Sequence, residues 1–382
     1  MKKFIILFLL TCCANTLFAE DDPYSGQLEL NWATYMGLDF ISTSGGYYNV
    51  FSNWYANGAF GQETIKNNSK GDLFFCTSTN HDSLNHKETF KHHIWKFDAD
   101  REFLWKKNTY NIPTKNAHLE QLICIDSSDN IYVLTYYGLE KYNDDGELVY
   151  SISSEEICNR SSGILTYSPT EGCIDGANPE SFEADKDGNL YLYTSYLVLK
   201  FDTEGNLLWV HNHNIERFWY FGKSIMTIGK KDNPIYFVSS GNKIVFLDKK
   251  TGLVQKELNL NNIPAFANAI SGLDVESIEI RRLSRDYNYD LVMIFRIFTL
   301  SSDTSNILLK CDTDGNSCWS TLLNSKIDDY FCEFVFDKHN NIYCFCHNYY
   351  LGERIHFDDY NIEMYKYSSS GKLLRTSLEC PH

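Results

Sequence analysis

The chain alternates between short apolar runs and polar turns from about residue 65 to its end. Few apolar runs exceed six residues, and most place large side chains at every second position. LFFCTS (73–78), IYVLTY (131–136), LYLYTS (190–195), IYFVSS (235–240), LVMIFR (291–296) and IYCFCH (342–347) are six such segments. Tyr, Phe, Val, Ile and Leu at period two form pleated strands. A turn precedes each segment: Lys70-Gly71-Asp72, Ser128-Asp129-Asn130, Asp187-Gly188-Asn189, Asp232-Asn233-Pro234, Asn288-Tyr289-Asp290 and His339-Asn340-Asn341. A second phrase, an apolar residue then Lys, an aromatic and Asp, follows in step. Its copies are Ile94–Asp98, Leu139–Asn143, Leu199–Asp202, Val245–Asp248, Leu309–Asp312 and Met364–Ser368. After each copy comes another turn and strand, as in EFLWKKN, NLLWVHN and KLLRTSL.

Each repeat therefore reads as four short strands joined by tight turns. Asp-Gly and Gly-Asn pairs supply the positive φ that such turns need. In DKDGNLYLYTSYLVLKFDTEGNLLW (185–209) the first turn joins strands one and two and the second joins strands three and four. No amphipathic helix of convincing length interrupts the pattern. The expected fold is all-β, a β-propeller of six four-stranded antiparallel blades in one domain over residues 20–382. Leu28-Glu29-Leu30-Asn31-Trp32 resembles an outer strand without its blade, so it closes the ring or belongs to a seventh blade.

Leu247–Val254 resembles the pyrroloquinoline-quinone-type propeller repeat, in which Asp, Thr-Gly and a closing Trp strand recur, and Phe201–Trp209 is similar. The "D-x-x-G-N" turns are similar to those of the NHL and streptogramin-lyase-like bacterial propellers. The resemblance implies a propeller and no particular activity, because such repeats serve enzymes, scaffolds and sensors alike. The quinone enzymes hold cofactor and calcium with residues that do not map onto this chain, so no cofactor is expected.

Composition adds a compartment. Lys2 and Lys3 precede the apolar Phe4–Leu10, and Ala19 stands before three acidic residues, the pattern of a secretory signal over residues 1–19. The chain is then expected to be exported to a periplasm, surface or medium. Cys12 and Cys13 are the alternative, as acylation sites of an outer-membrane lipoprotein. No later segment is apolar enough to span a membrane. With 50 acidic against 34 basic side chains the net charge is −16, which repels phosphate backbones and argues against nucleic acid.

Ten cysteines follow the signal, an even number that favours disulfides in an exported chain. Cys158 and Cys173 bracket a Ser/Gly/Pro-containing loop. Cys332 and Cys346 are symmetric about the turn at His339. Cys311 and Cys318 flank another turn. These three pairs are the disulfide candidates.

Candidate binding chemistry is sparse. The long connections Trp32–Ile65 and Tyr150–Phe182 both follow an outer strand and are expected on one face of the ring. The first carries Tyr47, Tyr48, Phe51, Trp54 and Tyr55 among Gly, Asn and Ser, a composition suited to contacting a protein or glycan. The competing reading packs these rings inward. His81, His86, His92 and His93 are dense, yet lack metal-ligand spacing, and read as a polar loop. Asp185–Asn189 and Asp312–Asn316 open like calcium loops but lack the twelfth-position Glu, where Tyr196 and Leu323 stand. No nucleophile elbow or redox Cys-x-x-Cys occurs. The expected function is a non-enzymatic binding or scaffold module. The alternatives are a propeller lyase or hydrolase, and a lipid-anchored envelope scaffold.

Overall fold

The computed structural model describes residues 65–70, 72–81, 89–98, 102–113, 122–135, 138–161, 164–168, 173–175, 179–194, 197–213, 225–238, 242–300, 304–316, 318–323, 331–336, 339–347 and 362–377. Nearly every element is a strand, and six four-stranded antiparallel sheets emerge, each ordered as in the chain. Sheet I is β1 (Ile65–Asn67), β2 (Leu73–His81), β3 (Thr89–Phe97) and β4 (Phe103–Pro113). Sheet II is β5 (Leu122–Ile125), β6 (Ile131–Thr135), β7 (Gly138–Tyr142) and β8 (Leu148–Ser153). A small hairpin, β9 (Thr166–Ser168) with β10 (Cys173–Asp175), precedes sheet III. Sheet III is β11 (Pro179–Ala184), β12 (Leu190–Thr194), β13 (Leu197–Phe201) and β14 (Leu207–Asn212). Sheet IV is β15 (Met226–Ile228), β16 (Pro234–Val238), β17 (Lys243–Leu247) and β18 (Val254–Asn259). Sheet V is β19 (Val275–Arg285), β20 (Leu291–Thr299), β21 (Thr304–Cys311) and β22 (Trp319–Leu323). Sheet VI is β23 (Phe331–Phe336), β24 (Ile342–His347), β25 (Ile362–Tyr367) and β26 (Leu373–Ser377).

The described residues fall into two compact units. One holds sheets I to III with β15 and the turn Leu247–Val254; the other holds Ile235–Phe246 and the chain from Gln255 onward. Within the first unit, β5 lies beside β1 and β11, and β11 beside β15; within the second, β19 lies beside β23. First strands that neighbour one another from sheet to sheet are the inner strands of β-propeller blades, and the fold is a β-propeller.

Second strands are deeply buried, with all five residues of β6 and of β12 buried. Apolar clusters fill the space between sheets. Phe74 and Ile94 pack with Ile123, Ile131 and Val133; Tyr132, Leu134 and Leu139 with Phe182, Leu190 and Leu199; and Val292, Ile294 and Leu308 with Phe334, Ile342 and Cys344.

The repeated phrases have repeated jobs. The lysine of the second phrase lies over the aromatic ring of the preceding strand: Lys96 over Phe74 at 5.2 Å, Lys141 over Tyr132 at 5.0 Å, Lys200 over Tyr191 at 5.2 Å and Lys366 over Tyr343 at 4.8 Å. An ammonium against a ring face keeps its charge while its stem packs as hydrocarbon. Burial still lowers the Lys200 pKa, against the pull of Asp185. Lys96 also pairs with Asp72 at 3.0 Å and Asp144 at 2.6 Å. Asp144 would be raised by burial, but hydrogen bonds from Lys70 and Lys96 hold its carboxyl below the ordinary range. The turn aspartates cap their own turns. Asp185 Oδ1 accepts from the backbone N–H of Asp187 at 3.0 Å and Asn189 at 2.9 Å, and Tyr191 Oη donates to Oδ2 at 3.1 Å.

The outer strands dock onto the third-to-fourth-strand turn of the next sheet. Trp105 Nε1 donates to the Asp144 carbonyl at 3.3 Å, Trp209 Nε1 to that of Lys249 at 3.1 Å, and Trp319 Nε1 to that of Ser369 at 3.0 Å. A glycine faces each indole. Gly252 has φ +69°, and a Cβ there would meet the Trp209 ring at 2.6 Å, so both backbone and space require glycine. Sheets II and IV dock without tryptophan. Ile152 packs against Gly205, and Lys256 Nζ reaches the Thr313 carbonyl at 2.8 Å and the Asp314 carboxylate.

Two short helices depart from the all-strand expectation, α1 (Ser154–Arg160) and α2 (Pro264–Ile270). The first half of the loop between Cys158 and Cys173 is thus partly helical. Ser153 caps α1 by accepting from the Glu156 N–H, and Glu155 and Glu156 favour its first turn. Proline at the first position of α2 supplies a preset φ.

Candidate functional site

The aromatic candidates Tyr47, Tyr48, Phe51, Trp54 and Tyr55 lie outside the described residues, as do His86, Cys12 and Cys13. His81, His92 and His93 lie in β2 and β3, where a loop was expected, because this hairpin is longer than its counterparts and pairs out to His81 opposite Thr89. His93 is buried, hydrogen-bonded through Nδ1 to Asn108 Oδ1 at 2.8 Å and edge-on to Trp95. Among the described residues no three metal-ligating side chains converge. Asp312 spends its Oδ1 on the N–H groups of Asp314 and Asn316, at 2.9 and 2.7 Å, like Asp185 in its own turn.

The cysteines divide. The register of β23 and β24 sets Cys332 directly opposite Cys346. Cys158 is buried on α1 and Cys173 begins β10, elements that neighbour each other. Cys311 at the end of β21 is a buried free thiol, and Cys318 just before β22 is a half-buried free thiol.

Charge gathers at one place that the sequence reading missed. The inner strand β5 is Leu-Ile-Cys-Ile, whereas β19 reads Val-Glu-Ser-Ile-Glu-Ile-Arg-Arg-Leu-Ser-Arg. Glu279 Oε2 and Arg281 Nη2 pair at 3.2 Å, with each side chain only 14% exposed. Glu279 stands opposite Arg296 of β20. The pairing slips between Ile280 and Arg282, so Arg281 is the extra residue of a β-bulge, which re-aims a side chain. Arg282 is 2% exposed, and its guanidinium lies over the Phe334 ring at 4.6 Å. Arg296, also buried, lies over Phe298 at 4.9 Å. Toward the exposed end of the strand are Glu276 and Ser277. At the other end, Arg285 lies over Tyr289 at 4.4 Å, and Tyr289 has φ +67° where sheet III has Gly188. A tyrosine in the left-handed region is strained.

A cluster of guanidiniums around one carboxylate is chemistry suited to a carboxylate or another planar anion. One carboxylate among three arginines offers charge complementarity and no pair of acids. The signal was present in the sequence: Arg282 stands at the position that Leu122 takes in β5.

No protein-family model matches the chain, and no curated protein matches it. Solved structures do. PorZ, an essential surface component of the type-IX secretion system of Porphyromonas gingivalis, is 14% identical at a TM-score of 0.48, over 84% of this chain and 42% of that one. A Bacteroides caccae protein of unknown function is 12% identical at 0.39, over 75% and 90% of the two chains. YCF48 from Cyanidioschyzon merolae is 10% identical at 0.43, over 74% and 90%. Similarity of this degree carries no argument about function.

Proposed function

We propose that the chain is a β-propeller that serves as a binding or scaffold module, and that it recognises an acidic group of a protein or glycan partner through blade V. The observation that carries the proposal is the Glu279–Arg281 pair backed by Arg282 and Arg296 on an inner strand. The fold does not require the guanidinium of Arg282, because β5 carries Leu122 at the corresponding pairing position. Residues 47–55 are a second contact surface in this reading. The Trp–Gly contacts of sheets I, III and V support kinship with the pyrroloquinoline-quinone-type repeat rather than with the other propeller repeats.

Photo-cross-linking in the native host tests the proposal, with the reactive residue at the exposed positions 276 or 277 in the full chain. One discrete adduct, lost when Arg281→Ala is added and the thermal midpoint is unchanged, is the expected result. An adduct pattern indifferent to Arg281→Ala sinks this site. Export with loss of residues 1–19 is part of the proposal. The intact mass of the native protein tests it: a chain beginning at Glu20 supports a released protein, and one beginning at an acylated Cys12 or Cys13 makes it an envelope-anchored scaffold.

A lyase or hydrolase is the second reading, and the same cluster favours it, because a Glu279 carboxylate kept ionised by guanidiniums is placed to accept a proton from a reacting group. Turnover of an acidic glycan abolished by Glu279→Gln, with the partner adduct retained, would move the assignment to an enzyme.

A further inference from the structure

We propose that Cys311 and Cys318 are the two halves of an intrachain disulfide that clamps the outer hairpin of blade V, with Cys318 as the sulfur through which an external disulfide enters. The pairing rests on the repeat. At the position of Cys311 the other blades carry Phe97, Tyr142, Phe201, Leu247 and Tyr367. In sheets I, II, III and VI the register shifts by one residue just past this point. The shift makes Leu104, Val149, Leu208 and Leu374 extra residues, set with their neighbours opposite that aromatic. Cys318 occupies the same place before Trp319, and Lys310 pairs with Trp319 as Lys96 pairs with Trp105. Blade V alone replaces both members of this apolar pair with cysteine.

The geometry agrees. The register Lys310↔Trp319, carried one residue further, sets Cys311 opposite Cys318, both free thiols, and Cys318 Sγ donates to the Gly315 carbonyl at 3.0 Å and that of Asn316 at 3.1 Å. Opposed residues on antiparallel strands bring Cβ atoms to within disulfide reach. Burial differs between the two sulfurs. Cys311 is fully buried and Cys318 is partly exposed. The hydrogen bond between them, more than burial, pushes Cys311 far up, and the same bond brings Cys318 below the ordinary thiol value. Cys318 is therefore the thiolate that an oxidant meets first.

The oxidant is a disulfide, such as oxidised glutathione or a thiol oxidoreductase. The Cys318 thiolate attacks one of its sulfurs, forms a mixed disulfide and releases one thiol. Cys311 then loses its proton and attacks Cys318 Sγ, releasing the second thiol. Two protein thiols are oxidised and one external disulfide is reduced. The bond closes the turn whose Thr313 carbonyl and Asp314 carboxylate hold Lys256. It also precedes Trp319, which docks on Ser369. It thus fixes the segment that joins blade V to elements on both sides of it.

Tryptic cleavage after Lys310 and Lys326 releases residues 311–326, which carry both cysteines and no other. The native full-length protein is denatured, blocked with N-ethylmaleimide and digested without reduction. The expected peptide is unlabelled and lighter by two hydrogens than its reduced form, and it takes two labels after reduction. Two labels before reduction, or a link from either cysteine to another peptide, would falsify the pairing. For the order of attack, fully reduced Cys311→Ser and Cys318→Ser proteins are exposed to oxidised glutathione. A glutathione adduct that accumulates on Cys318 in the first variant, several-fold faster than on Cys311 in the second, is expected. Faster capture at Cys311 would overturn the assignment of Cys318 as the entry sulfur.

Discussion

The inner strands of blades II and V hold equivalent places in their sheets with opposite chemistry. β5 presents Leu122, Ile123 and Cys124, all buried and apolar. β19 has Arg282, Leu283 and Ser284 at those places, and continues beyond the length of β5 to Arg281 and Glu279. A propeller blade needs only apolar area against its neighbours, so β5 shows the minimum and β19 shows a surplus. Buried ion pairs seldom stabilise more than well-packed hydrocarbon of the same volume. The charges of blade V are thus read as serving recognition, while β5 serves folding.

Truncating β5 should produce the largest loss. Ile123→Ala removes a side chain with no exposed area between sheets I and II and should cost about 2–5 kcal/mol, read from urea unfolding. If it costs less than 1 kcal/mol, the claim that β5 is structural fails.

A buried polar group that is neutral sharpens the contrast next. His213 stacks on Tyr193 at 4.9 Å, and Nε2 contacts the Thr194 carbonyl at 3.1 Å. Burial brings its pKa down from 6.5 to about 4, against the carbonyl's pull upward. The unfolded chain therefore binds a proton that the folded chain refuses. The neutral ring's contribution is complete above pH 6.5 and is lost as pH falls toward 4. That loss should be about 2–3 kcal/mol. His213→Phe should flatten this part of the stability profile. Asp144 acts lower: with its folded pKa depressed, its contribution is present above the ordinary aspartate range and is lost as pH falls through the folded value.

Arg282→Met tests blade V directly. An apolar side chain of similar length should change stability by less than about 1 kcal/mol while abolishing the cross-linked adduct at 276 or 277. Arg282→Ala, which leaves a void against Phe334, should cost more. A large loss in the methionine variant would make the cluster structural and remove the ground for a binding site there.

The smallest effect belongs to the exterior. Several outer strands begin with exposed apolar residues, such as Leu148 and Val149 or Leu373 and Leu374. Leu374→Lys should shift the unfolding free energy by no more than about 0.5 kcal/mol. A larger change would show that this edge is covered in the native protein.

Much of the fold was legible in the chain. The described residues of the six second-strand segments lie in β2, β6, β12, β16, β20 and β24, and the phrase carrying Lys and an aromatic ends β3, β7, β13, β17, β21 and β25. The site was less legible. Glu279 and Arg281 sit just before the segment at Leu291, where strand patterning treats polar residues as outward-facing. α1 was missed although Ser153 and Glu156 have the spacing of a capping box, because seven residues carry little periodic signal.

Sequence alone determined the period-two strands, the turn positions and their repetition, because these depend on neighbours a few residues apart. It also set the register of Cys332 against Cys346, since a symmetric hairpin leaves one alignment. Only the tertiary structure decided that Trp209 meets Gly252, that Arg282 lies over Phe334 and that Cys318 turns toward Cys311. The first two join residues more than forty positions apart, and the third depends on how the β21–β22 turn folds back past Lys310 and Trp319. Such contacts are chosen by which faces bury one another, a property of packed sheets that no local pattern encodes.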